Sequence, residues 1–76
     1  MVVNVLYFAT LREQSGCSER LIHLPEGATV LDAVESSGFK DAASSIMVAV
    51  NEAYVGLTQT LKDGDTVALI PPLGGG

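Results

Sequence analysis

"LKDGDTVALIPPLGGG" (residues 61–76) is the stretch on which the reading of the fold turns. Asp63-Gly64 is the strongest turn signal in the chain, and the β-branched and aliphatic residues after it predict a strand over 66–70. Pro71 and Pro72 have no N–H to give to a ladder, so they release the chain from any sheet. Gly74, Gly75 and Gly76 then carry no side chains and have wide backbone freedom. Such an end is either a frayed tail or a thin arm made to enter another molecule. The residues divide the chain into a folded domain over 1–70 and a flexible C-terminal tail over 71–76.

A strand that ends in release needs a partner inside the sheet, and the best one stands at the other end of the chain. "VVNVLYFA" (2–9) is β-branched and aromatic, with Val3, Val5 and Tyr7 on one face and Leu6 and Phe8 on the other. A strand apolar on both sides is either sandwiched or lends one face to a partner. Between these two lie a polar connection (10–19) with a helical turn around Leu11–Gln14, and a short strand "RLIHL" (20–24) stopped by Pro25. The clearest helix follows in "PEGATVLDAVESSG", with Thr29 as N-cap and Asp32 as its capping-box partner. Val30, Leu31 and Val34 form its buried stripe, and Gly38 ends it. A third strand is expected over 45–51, then a turn at Asn51-Glu52 and a short strand in "AYVG". Strand, strand, helix, strand, short strand, strand implies one mixed sheet of about five strands with the helix across one face. Placing the apolar first and last strands side by side at its centre gives an α+β, ubiquitin-like β-grasp arrangement whose opposite face stays uncovered.

Composition narrows the function. The 76 residues make one domain, and 47% hydrophobic content is enough for one compact core. Four basic residues against nine acidic ones give a formal charge of -5, which argues against nucleic acid and favours either a basic partner surface or plain solubility. One cysteine, Cys17, precludes an internal disulfide framework and suits a reducing, cytoplasmic setting. No stretch approaches the roughly 20 apolar residues that cross a bilayer, and "MVVNVLYFA" lacks the basic flank of a signal peptide. No membrane partner is therefore expected.

Catalytic chemistry is not visible in the residues. Nucleophilic catalysis needs a Cys or Ser beside a base, and nothing brings His23 and Cys17 together. His23 falls between Ile22 and Leu24 and points to the face opposite theirs. One Cys and one His do not make a zinc site without distant carboxylates, so no metal is expected. Gly16, Gly56 and Gly64 are isolated turn glycines, not a phosphate loop. The C-terminus remains. An α-carboxylate on glycine is sterically open, and six residues past Ile70 extend roughly 20 Å at about 3.3 Å each.

Three blocks of the sequence resemble a known family. "VLYFATLRE" is similar to the strand-and-loop opening of the small subunits of molybdopterin synthase, "VAVNEAYV" to their central strand and turn, and "LKDGDTVALIPPLGGG" to their ending, diglycine included. The last block is the specific one, because DGD, the diproline and the terminal glycines stand in register. The resemblance spans essentially the whole chain and identifies a ubiquitin-like sulfur carrier. It implies that a ubiquitin-activating-type enzyme uses ATP and magnesium to adenylate the Gly76 carboxylate, with Gly75 beside it. A sulfur donor then makes a thiocarboxylate, and the tail delivers sulfur to a pterin precursor inside a large catalytic subunit. The carrier itself would bind no cofactor and catalyse nothing. By the same resemblance Phe8, Tyr54 and Ile70 lie on a partner-binding sheet face, Arg12 forms an interface ion pair, and Pro71, Pro72, Leu73 and Gly74 belong to the inserted arm. Gly74 replaces a small polar residue common in the family, and Tyr54 replaces an aliphatic one.

Two other classes share parts of this pattern. A related carrier for thiamin thiazole or tRNA thiolation, or a protein modifier joined to lysines through Gly76, would use the same fold and activation. A plain interaction domain would need no chemistry at all. The diproline before the tail favours the molybdopterin role.

Overall fold

The computed structural model describes residues 1–72. Its five strands are β1 (Val2–Tyr7), β2 (Glu19–His23), β3 (Met47–Val50), β4 (Ala53–Val55) and β5 (Thr66–Ile70). They form one sheet in the order β2-β1-β5-β3-β4. The first and last strands do lie side by side, and they run parallel, with Asn4 opposite Thr66 and Tyr7 opposite Leu69. The other neighbours are antiparallel. This is the expected α+β β-grasp sheet.

The helical layer is larger than the sequence implies. Helix α1 (Ala9–Ser15) replaces the single expected turn, and α2 (Val30–Ser36) follows β2. A 3-10 helix then covers Lys40–Ser45, so β3 starts at Met47 and not at 45. Strand β1 likewise ends at Tyr7, because Phe8 is already the N-cap of α1. Leu11 of α1, Val30, Ala33 and Val34 of α2, and Phe39 and Ala43 meet Val3, Val5, Tyr7, Val67 and Leu69 from the sheet in one core. Leu31, expected in the buried stripe, is only partly covered.

The ends of α2 follow local chemistry. The backbone N–H of Thr29 donates to Asp32 Oδ2 at 2.8 Å, and the Thr29 hydroxyl accepts from the Asp32 N–H. That reciprocal box satisfies two groups the helix start would otherwise leave unpaired. Residues 57–59 supply two more acceptors, since Val30 N–H donates to the Gln59 carbonyl and Leu31 N–H to that of Leu57. At the other end Gly38 has φ +89°, a conformation glycine adopts without Cβ strain, and Phe39 N–H returns to the Val34 carbonyl at 3.1 Å.

Candidate functional site: the uncovered sheet face

All helical elements that pack into the core do so on one side of the sheet, which leaves the other side as a surface. Strand register assigns its residues, because directly paired positions share a face. One row runs Glu19, Leu6, Ala68, Ala49 and Tyr54 across all five strands. Toward the end of β5, Met47 pairs with Ile70. Toward its start, Leu21 pairs with Asn4 and Asn4 with Thr66.

This face holds every large hydrophobic side chain among the described residues that stands well exposed: Phe8 at 45%, Leu21 at 67%, Met47 at 45% and Tyr54 at 68%. Four such groups lie on one side of a small domain, where scattered exposure would place them on both, and gathered apolar exposure of this kind is what binding surfaces present. Leu6, Phe8, Ala49 and Ala68 also line a shallow depression of about 480 Å³, bounded by Asn51, Glu52 and Thr66. Its floor is low because β5 and β3 present alanines where their neighbours present large groups.

Phe8 owes its position to a sharp change of direction. Its N–H still donates to the Leu69 carbonyl at 3.2 Å, continuing the ladder. Ala9 then takes φ +48°, an uncommon conformation for a residue with a Cβ, and the chain turns into α1. Leu11 reaches the core while Phe8 stays outside. Arg12 is exposed on α1, where the Gly16 N–H caps its carbonyl at 3.0 Å.

The residues named from sequence divide as follows. Phe8, Tyr54 and Ile70 share the uncovered face, with Ile70 only partly exposed; Arg12 is exposed on the neighbouring helix. Pro71 is half-buried and Pro72 exposed just past the end of β5. Leu73, Gly74, Gly75 and Gly76 lie outside the described residues. Leu21 and Met47 were not singled out from sequence. The alternation of β2 and β3 carries them: Leu21 adjoins the inward Ile22, and Met47 adjoins the inward Val48.

The motif residues that carry the family resemblance build the frame of this face. Asp63 Oδ1 accepts the Val2 N–H at 2.7 Å, and Asp65 Oδ2 accepts the Lys62 N–H at 2.8 Å. Asn51 donates through Nδ2 to Asp65 Oδ1 at 2.9 Å and accepts the Thr66 N–H on Oδ1 at 3.0 Å. The DGD turn thus pins β1, β3 and β5 to one register. His23 and Cys17 stay apart, on β2 and in the loop before it; Cys17 sits 3.5 Å from Arg20 Nη2. Among the described residues no group of three or more His, Cys, Asp or Glu side chains could hold a metal ion, and no helix is long and apolar enough to cross a membrane.

Known proteins share both the sequence and the fold. The chain is 41% identical, over the full length of both, to a molybdopterin synthase sulfur carrier subunit from Chlamydomonas reinhardtii. It superposes with TM-score 0.82 on the small archaeal modifier protein 1 of Haloferax volcanii, at 26% identity over 95% of this chain and 98% of that one. It also matches a chain in the complex of subunits 1 and 2 of the molybdopterin-converting factor from Helicobacter pylori, with TM-score 0.65 and 27% identity over the whole of both chains. Residues 5–76 match the model of the ThiS family. On this full-length agreement of sequence and fold, the chain belongs to the ThiS family, alongside relatives named as sulfur carrier subunits of molybdopterin synthase.

Proposed function

We propose that this chain is the sulfur carrier subunit of a molybdopterin synthase, acting in the cytoplasm without catalysing a reaction itself. The observation that carries the reading is the full-length, 41% identical match to a protein of that name. The uncovered apolar face supports it, because a carrier must be held by a partner while its end is worked on elsewhere. The strand that leads to the tail, β5, lies within that face, so docking there fixes where the tail departs.

The chemistry proposed for the tail follows from the carboxylate of Gly76. A carboxylate oxygen attacks the α-phosphorus of ATP on an adenylating enzyme that holds the magnesium, and pyrophosphate leaves. A donor then releases sulfur at the sulfide level, and this hydrosulfide attacks the acyl carbon; AMP departs and loss of the S–H proton leaves a thiocarboxylate. Glycine suits both steps because no Cβ obstructs the acyl carbon. Binding of Phe8, Tyr54 and Ile70, with Arg12 beside them, to a large catalytic subunit would position Gly75 and Gly76 through an arm of Pro71, Pro72, Leu73 and Gly74. The chain needs no bound cofactor for this role.

A second reading, conjugation to lysines through Gly76, is favoured by the likeness to the archaeal modifier. Intact mass spectrometry of the protein isolated from its own cells separates the two. A carrier gains the mass difference of one oxygen replaced by sulfur, a modifier appears in adducts, and a chain found always as the free acid overturns both.

A further inference from the structure

We propose that the depression on the uncovered face receives a segment of the large subunit that presents a bulky apolar side chain beside a lysine or arginine, and that Glu52 selects it. The inference rests on the reading above and adds the chemistry of the contact. Ala49 and Ala68 form the floor, Leu6 and Phe8 one wall, and Glu52 the opposite rim. A hollow with an apolar floor of about 480 Å³ fits a protruding side chain better than a flat surface does.

Charge fixes what must accompany that side chain. Along the strands, the described part of this face carries no lysine or arginine; its ionisable groups are Glu19, His23 and Tyr54, and Arg12 stands exposed on the neighbouring helix α1, away from the residues that line the hollow. Arg20 lies on the other side, above the Tyr7 ring. Glu52 is therefore the one carboxylate that lines this apolar hollow, on a chain of net charge -5. Asp32, Asp63, Asp65 and Glu19 accept hydrogen bonds from the chain; Glu52, like Glu13, Glu26, Glu35 and Asp41, accepts none among the described residues, but of these five it alone lines the hollow.

Glu52 is also a poor residue for its backbone. Asn51 and Glu52 take φ +50° and +73° in the turn from β3 to β4. Glycine is the favoured second residue of such a turn, and a residue with a Cβ is strained there. A side chain kept against local preference, without a hydrogen bond among the described residues and bordering a hollow, is suited to contact with a partner.

The test measures binding of the purified chain to its cognate large subunit, at low and high salt, with thermal melting of each variant alongside. Glu52→Gly is expected to raise the melting temperature by a few degrees yet slow association, a split that a purely structural residue would not give. Glu52→Lys should lower the association rate about tenfold at low salt and flatten its salt dependence. Ala68→Leu, which fills the floor, should weaken affinity by about tenfold or more while the fold is retained. If the unmodified chain binds and all three variants bind as it does, this inference is overturned alone. If the unmodified chain does not bind the large subunit, the functional reading falls and the inference with it.

Discussion

Tyr7 is the largest fully buried side chain among the described residues, and a buried hydroxyl must find a partner. It donates to Ser37 Oγ at 3.0 Å, and Ser37 Oγ in turn donates to the Ala33 carbonyl at 2.9 Å. This short relay ties β1 to the last turn of α2, and Phe39 meets the Tyr7 ring edge-on with centroids 5.9 Å apart. Tyr7→Phe keeps the ring and removes only the relay's first bond. It should lower stability by about 1 kcal/mol, read from urea denaturation with an unchanged slope. Phe8, one residue on, should behave in the opposite way. Phe8→Asp is expected to change stability by less than about 1 kcal/mol and to weaken binding to the large subunit by at least about tenfold. Titration of the folded variant against that subunit checks it; equal binding would remove Phe8 from the docking surface.

Elements whose signal sits in side chains were legible in the sequence, and those built from backbone alone were not. Strand β1 shows its alternation plainly, and Thr29 with Asp32 announces the start of α2. Helix α1 shows in the sequence as no more than a single turn because Leu11 is its one buried residue and most of the rest is polar. The 3-10 helix of Lys40–Ser45 offers only Ala43 to the core, too little for any periodicity to show. The caps that residues 57–59 give to α2 come from carbonyls, which every residue has. On the uncovered face, the apolar reverse of β1 was legible, while Leu21 and Met47 needed the register. The DGD block was legible as a turn, but its work is to join three strands. Asp65→Ala would release both Asn51 and the Lys62 N–H and is expected to cost about 2 kcal/mol. Calorimetry reads it, and amide exchange should speed first at the start of β5 and the end of β3.

For the molecule as a whole, the described core closes without the tail: its last member in sequence is Leu69. Stability and the proposed chemistry are then separable. Deleting Gly76 should leave stability within about 0.5 kcal/mol of the full chain. ATP-dependent thiocarboxylation should nevertheless collapse, because the reacting carboxylate is displaced by one residue, and misplacement on this scale costs orders of magnitude in rate. Wild type and deletion compared side by side, by melting and by mass spectrometry, decide it; a shortened chain that still delivers sulfur would end the carrier hypothesis.

The parallel pairing of β1 with β5 has a mechanical meaning. A pull between Met1 and the tail runs along the two strands in opposite senses, so the bonds from Asn4 opposite Thr66 to Tyr7 opposite Leu69 are loaded together, in shear. They cannot open one after another like a zip. A carrier gripped by its tail can therefore be tugged by a partner while its body resists being dragged open, and its lifetime under load is set by the unfolding rate of this central pair.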